Sequence, residues 1–422
     1  MMISVEEALE KVLSFIEVLE PEEKSILACL GQVLAEDIYA TNNIPPGDNS
    51  AMDGYAVRAE DTIGALESSP KYLAVIEEIA AGSVPTKALL PKTAIRIMTG
   101  ALLPEGADAV VQFEHTNEVD HCSLLNNLSQ IGILREVQKR ANVRPRGEDV
   151  MEGTLVLSKG TVLRAAEIGM LASLGHTTAL VIRRPVVSIL ATGDELVDTK
   201  QLLSPGKIHN SNTYTIAAEV LCYGGIPKIL GIGHDSIESL NNKIDESLTS
   251  NLLITSGGVS LGNYDVVKDV LMRRGEIALW TICMKPGKPS AFGMIRSKGE
   301  KLPHLGLPGN PVSTMVAFEQ FARPAILKMA GKKILAKPTI EAVMDEAVVN
   351  TDGRRIYARV VVSKKGEEYH ACLTGPQGSG ILSSMIKANG LAIIPEDTAG
   401  VEAGDKVSVQ MLDWTENSIL EV

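Results

Sequence analysis

Apolar and polar positions along this chain repeat with two different periods. Near the start, Val5, Ala8, Leu9, Val12, Leu13 and Ile16 recur at helical spacing behind Ser4. That spacing predicts an amphipathic helix over 4–19 with a serine N-cap. A second helix is predicted behind Pro21, through Ile26, Leu27 and Leu30, ending at Gly31. From about 57 to 150 the pattern shifts to short apolar runs at 72–79, 94–98 and 109–113, set between Pro and Gly turns. These predict a small β-rich domain. Strand character returns at 154–163, and 165–174 reads as a helix stopped by Gly175.

Between 185 and 330 strands and helices alternate. Strands are predicted at 186–191, 228–232, 252–254, 277–284, 291–295 and 304–307. Helices are predicted at 213–222, 237–248 and 266–274, and Asn310-Pro311 opens a further long one. Such alternation predicts an α/β fold with a doubly wound, mostly parallel sheet. The stretch from Pro338 onward is strand-rich with Gly turns and predicts a compact β domain. A length of 422 residues leaves room for three or four domains.

Composition narrows the function classes. At 45% hydrophobic and 22% charged residues, the chain can bury a large core, and no apolar run is long enough to span a membrane. The formal net charge of −12 argues against nucleic acid as a partner. Any anion site must therefore be built locally from Lys and Arg. The five cysteines are scattered and form no Cys-x-x-Cys, and the acidic N-terminus lacks the basic start of a signal peptide. Together these predict a cytoplasmic protein without a disulfide framework or zinc site.

Candidate chemistry collects at predicted strand ends. Thr255-Ser-Gly-Gly-Val-Ser-Leu-Gly-Asn-Tyr-Asp265 lies between a strand and a helix. Gly257, Gly258 and Gly262 let the backbone approach a ligand beside Ser256, and a helix N-terminus favours an anion. Thr192-Gly-Asp-Glu195 follows another strand, and the carboxylates of Asp194 and Glu195 suit Mg²⁺. In Met284-Lys-Pro-Gly-Lys-Pro289, prolines stiffen a loop that holds Lys285 and Lys288 together, an arrangement that an anion would stabilise. Gly306-Leu-Pro-Gly-Asn-Pro-Val-Ser313 leads into a helix N-terminus. Each loop also has a plain reading: glycines that only turn, Asp235 and Asp265 that only cap helices, surface acids, solvated lysines. As a set, acids, lysines and glycine-rich turns on one sheet edge fit a metal-assisted reaction on a phosphate ester. No Walker loop or nucleophile motif is present.

Eight stretches then occur in one order. They are Asp48-Asn-Ser-Ala-Met-Asp-Gly-Tyr-Ala-Val57, Arg96-Ile-Met-Thr-Gly-Ala101, Pro104-Glu-Gly-Ala-Asp-Ala-Val-Val111, Arg146-Gly-Glu-Asp149, Thr192-Gly-Asp-Glu-Leu196, Ser256-Gly-Gly-Val-Ser260, Lys285-Pro-Gly-Lys-Pro289 and Gly306-Leu-Pro-Gly-Asn-Pro-Val-Ser313. In these the chain resembles the molybdopterin molybdenumtransferases and is similar to the C-terminal domain of gephyrin. The resemblance implies an elongated N-terminal domain (1–48 plus 150–182), an inserted β-rich domain (49–149), an α/β domain (183–332) and a C-terminal β-barrel (333–422). It implies insertion of molybdate into adenylylated molybdopterin with release of AMP, assisted by Mg²⁺. Implied catalytic residues are Asp53, Thr99, Asp149, Glu195 and Asp265, with Glu195, Asp235 and Asp265 toward the metal. Implied substrate or anion contacts are Ser256, Gly257, Gly258, Lys285, Lys288, Pro308, Pro311, Arg144, Arg146 and Ser379. The family's arginine run before Gly-Glu-Asp is here Arg144-Pro145-Arg146. Implied partners are a second copy of the chain, in a homodimer with shared active sites, a molybdopterin-adenylylating enzyme and cofactor-accepting proteins. Two other readings stand beside this one: a molybdopterin adenylyltransferase, which needs only the α/β domain, and a gephyrin-like scaffold, which calls for an extra assembly domain and linker.

Overall fold

The computed structural model describes residues 2–118, 129–233, 237–258, 270, 273–297, 299–413 and 420–421. Asp235, Asp265 and most of the helix expected over 266–274 lie outside the described residues. The chain divides into two compact units. One holds residues 1–35, 160–168 and 178–422, and the other 36–159 and 169–177.

In the larger unit the first helix, Val5–Ser14, buries Val5, Ala8 and Val12. Its start is a capping box. Ser4 Oγ accepts from the Glu7 N–H at 3.1 Å, and Glu7 Oε2 accepts from the Ser4 N–H at 3.0 Å. The helix expected behind Pro21 is not formed. Pro21–Ser25 is a strand antiparallel to Thr178–Ile182, followed by a single 3₁₀ turn, Ile26–Cys29. Three apolar residues at helical spacing are too short a run to sustain a helix, and the partner strand offers a full hydrogen-bond ladder instead. Leu27 and Leu30 remain exposed.

The central sheet has seven strands in the order Met2–Ile3, Gly275–Ile282, Pro289–Ser297, Glu300–Leu307, Leu252–Ser256, Val186–Thr192 and Ile226–Gly233. It is parallel except for the two pairings made by Pro289–Ser297. Helices cover both faces. Leu252 and Ile254 pack with the Val5–Ser14, Asn212–Cys222 and Pro311–Ala317 helices, whereas Leu253 packs with Leu240 and Ile244 of Ile237–Ser247. The period-2 alternation of a strand thus serves two apolar layers. The long helix behind Asn310 widens to a π turn at Phe318–Ala322. Pro324, which has no N–H to donate, follows after Arg323.

Beyond it five strands, Arg355–Lys365, Glu368–Leu373, Thr339–Met344, Lys406–Met411 and Gly390–Ile394, pair in that order. The last closes back on the first, giving a barrel. Its interior is apolar, with Val360, Val362, Ala392 and Val409 fully buried. Met284–Lys285 adds to the barrel strand Arg355–Lys365. The smaller unit centres on a five-stranded sheet in the order Ala109–Gln112, Gly54–Val57, Thr93–Ile97, Lys71–Ile79 and Gln130–Ile133; the apolar runs predicted three of these strands but not Gly54–Val57 or Gln130–Ile133.

His304 lies in the middle of the central sheet, opposite Leu253, and is fully buried. Its Nε2 pairs with Thr255 Oγ1 at 3.0 Å, and Nδ1 has no partner among the described residues. Burial pushes the imidazole from its ordinary 6.5 down to about 3. Between those values the unfolded chain binds the proton and the folded one does not. Stability present above pH 6.5 is therefore lost as pH falls, by up to about 1.4 kcal/mol per pH unit. Urea unfolding at pH 7 and pH 5 should show wild type losing more stability than His304→Gln. Equal losses in the two proteins would contradict this account.

Candidate active site

Parallel register brings three strand ends to one level. Ala191 pairs with Ser256, and Ser256 with Leu307. The loops that follow, Thr192-Gly193, Gly257-Gly258 and Pro308-Gly309-Asn310, therefore leave the sheet side by side, at the carboxyl edge where open α/β sheets bind ligands. Gly257 makes this possible. Its φ is +89°, and a Cβ there would stand 2.4 Å from the Thr192 carbonyl oxygen. The Gly257 N–H is committed to the Leu307 carbonyl at 3.1 Å. Among the described residues, the turn's open donors are the Ser256 hydroxyl and the Gly258 N–H.

Asn212, the first residue of its helix, ties these loops together. Its Nδ2 lies 2.7 Å from Ser256 Oγ, 2.8 Å from the Gly309 carbonyl and 3.2 Å from Thr314 Oγ1. Asn310 occupies the cap position of Pro311–Ala317 but makes no side-chain cap. It donates instead to Ser379 Oγ at 3.0 Å, while the Val312 N–H donates to the Ser379 carbonyl at 3.1 Å. Ser379 is thereby brought to the sheet edge. Its loop is held by Arg359, a buried barrel residue that donates to Ser384 Oγ at 3.1 Å and to the Gly378 carbonyl at 3.1 Å.

The lysine loop packs against the same helix start, since a Cβ at Gly287 would lie 3.7 Å from the Ser313 carbonyl. Lys285 and Lys288 are not both left to a ligand. Asp352 stands 3.5 Å from Lys285 and also pairs with Arg354, whose guanidinium foremost holds the Asp352 carboxyl below its ordinary range. Lys288 is exposed and has no ion pair among the described residues. On the opposite side of the edge, the Glu195 carboxylate folds over Gly193, 2.6 Å from where a Cβ would be. It has no hydrogen-bond partner among the described residues. Uncommitted carboxylate oxygens at a phosphate-type edge fit an oxygen-seeking Mg²⁺ that keeps several waters. No group of three His, Cys, Asp or Glu residues gathers to hold a metal among the described residues.

The smaller unit carries a second cluster. Asp53 and Thr99 flank the paired strands Gly54–Val57 and Thr93–Ile97 at one end, where Gly54 pairs with Ile97. Asp53 Oδ1 accepts from both the N–H and the hydroxyl of Thr99, each at 2.7 Å. Those two bonds, the N–H first, hold the Asp53 carboxyl below its ordinary range. Glycine is required next door, because a Cβ at Gly54 would meet the Val111 carbonyl at 1.9 Å. Asn49–Ser50 continues this loop and pairs with Val143–Arg144. Asn49, Arg144 and Asp149 line an open cleft of about 480 Å³ with Ile44, Pro45 and Glu148. Arg146 contributes its N–H to Asp48 Oδ1 at 2.7 Å, and its side chain lies 3.9 Å from Glu152.

Of the residues expected from sequence, Glu195, Ser256, Gly257, Gly258, Pro308, Pro311, Ser379 and the two lysines thus belong to one sheet-edge system. Asp53, Thr99, Arg144, Arg146 and Asp149 belong to the smaller unit. Asn212 and Arg359 went unseen in the sequence. Asn210-Ser-Asn212 reads only as a helix start, and Asn210 does that work, accepting from the Thr213 N–H at 3.2 Å.

Gly257→Ala should destabilise the larger unit by about 1–3 kcal/mol, from the strained φ and the clash with Thr192. Gly309→Ala, whose Cβ would meet the Gly257 Cα at an ordinary 3.7 Å, should melt close to wild type. Indistinguishable melting temperatures for the two variants would contradict the close-approach argument.

Comparison with known proteins agrees along the whole chain. The family model of the MoeA N-terminal region (domain I and II) matches residues 3–175, that of the probable molybdopterin binding domain 188–328, and that of the MoeA C-terminal region (domain IV) 341–412. Molybdopterin molybdenumtransferase 2 of Mycobacterium tuberculosis is 35% identical over 413 residues, which is 96% of this chain and 98% of that protein. Molybdopterin molybdenumtransferase of Bacillus subtilis is 34% identical over 417 residues, 97% of this chain and 94% of that one. A crystal structure of a molybdopterin biosynthesis MoeA protein from Pyrococcus horikoshii covers 98% of this chain and 100% of its own, with a TM-score of 0.80 and 33% identity. With identity above 30% sustained from end to end, and all three family models met in order, the chain belongs to the molybdopterin molybdenumtransferase (MoeA) family.

Proposed function

We propose that this protein inserts molybdate into adenylylated molybdopterin and releases AMP. The observation that carries the reading is the sheet edge itself. Three level strand ends, a serine hydroxyl, an open glycine N–H and a lysine loop form a polar cradle in the segment that matches the molybdopterin-binding model. Such a cradle suits a phosphate or a tetrahedral oxyanion. In the reaction water cleaves the phosphoanhydride of the adenylylated pterin, AMP departs and the pterin keeps its phosphate, and molybdate exchanges an oxygen, lost as water with the two thiol protons, for the two dithiolene sulfurs.

The residues divide the work by their chemistry. Ser256 and Gly258 donate to anionic oxygens, and Lys288 supplies positive charge, with Lys285 tempered by Asp352. Asp53, held ionised by Thr99, acts as a fixed charge or proton acceptor and not as a proton donor at neutral pH. Glu195 would hold Mg²⁺, completed by waters and by Asp235 and Asp265. The ion supplies neutralisation of phosphoryl charge when bound. Upstream, an adenylylating enzyme delivers the substrate, and cofactor-accepting proteins take the product, in the cytoplasm.

The active unit of this reading is a homodimer in which each site combines the Asp53–Thr99 cluster of one subunit with the sheet edge of the other. The test uses adenylylated molybdopterin and molybdate, with AMP release as the readout. Asp53→Asn and Asp265→Asn should each be inactive alone. Mixed dimers carry one doubly altered and one intact site, so random subunit exchange should restore roughly a quarter of wild-type activity. Background activity in dimers that demonstrably form would refute site sharing. Adenylylation of molybdopterin from ATP, without AMP release in the insertion assay, would favour the adenylyltransferase instead.

Lys288→Gln should weaken substrate binding, and added salt should weaken binding to wild type. Binding indifferent to both would make Lys288 a solvated surface residue.

A further inference from the structure

We infer that Asn212 is a positioning residue for the reaction, acting by fixing the Ser256 hydroxyl as a hydrogen-bond donor toward the anionic part of bound molybdopterin. The inference rests on the proposed function for the identity of the ligand. The Gly309 carbonyl can only accept, so the group facing it at 2.8 Å must be the NH₂ of Asn212, which settles the orientation of the amide. Thr314 Oγ1 lies 2.6 Å from the Pro308 carbonyl, an acceptor that takes its single proton. Toward Asn212, at 3.2 Å, Thr314 can therefore only accept, sharing one of the two amide hydrogens with a nearer acceptor.

The same nitrogen stands 2.7 Å from Ser256 Oγ, the shortest of its three contacts. Ser256 must accept as well, because both amide hydrogens point outward from nitrogen and nitrogen offers no lone pair. Its own proton is then directed elsewhere. Among the described residues no acceptor receives it, although Ser256 is only 2% exposed. A buried hydroxyl with its acceptor side filled and its donor side open, at the first residue of a glycine turn, is set to donate to an anionic oxygen. The Asn212 bond to Gly309 also pins the Pro308–Asn310 loop, which carries Ser379 through Asn310. One amide thus sets both the direction of a donor and the spacing of its neighbours.

The test is a double-substitution cycle on the full-length protein. The dissociation constant for molybdopterin, the KM and kcat for AMP release, and the melting temperature are measured for wild type, Asn212→Ala, Ser256→Ala and the double variant. Asn212→Ala should weaken binding and raise KM about tenfold, with kcat changed much less. In the Ser256→Ala background the same substitution should cost no more than about threefold, since its target is gone. Asn212→Asp keeps the shape and cannot donate, so it should lose at least as much as Asn212→Ala while still folding. Equal costs of Asn212→Ala in both backgrounds would overturn the inference, as would wild-type binding by Asn212→Asp. A wild type that binds molybdopterin but releases no AMP would sink the insertion reading alone, and the cycle would then be read on binding.

Discussion

The parallel pairing of Val186–Thr192, Leu252–Ser256 and Glu300–Leu307 is the constraint on which the sheet edge depends. Because Ala191, Ser256 and Leu307 share one register level, three loops leave the sheet together and need little further machinery to form a cradle. The cost is crowding. The Gly257 backbone passes so close to Thr192 that only glycine fits, and its positive φ suits the same residue. Buried apolar residues on both faces hold the register, so the site's geometry follows from the core and not from the loops alone.

Charge is handled with similar economy. A chain of net charge −12 repels anionic substrates at long range, so attraction must be local. The lysine loop provides it, but the barrel returns a counter-charge in Asp352, leaving Lys288 as the freer cation among the described residues. In the smaller unit Thr99 spends two donors on one oxygen of Asp53, which keeps that carboxylate ionised and aimed. Neutral donors near the edge are oriented by amides: Asn212 toward Ser256, Asn310 toward Ser379.

Much of this was legible in the sequence, and the reason is local. Alternation of strand and helix, the Ser4 N-cap, the β-rich runs and the glycine turns each follow from residues close together in the chain. What escaped depended on distant partners. Pro21–Ser25 becomes a strand only because Thr178–Ile182 lies beside it, and no pattern within Pro-Glu-Glu-Lys-Ser announces that. Asn212 reads as one of several helix-start residues until Ser256, Gly309 and Thr314 are brought to it from 44 to 102 positions away. Arg359 looks like an interior charge in an apolar strand, and its purpose appears only with the Ser379 loop folded against it. Asp352, the counter-charge to Lys285, likewise lies far along the chain.

The most direct test of the account follows the metal. Purified protein is given adenylylated molybdopterin and molybdate, and the pterin product is passed to a cofactor-free molybdoenzyme whose activity is then measured. The account predicts activation that requires both substrates and rises in step with AMP released. AMP release without activation, or activation by the pterin and molybdate when this protein is left out, would contradict the claim that this chain places the metal.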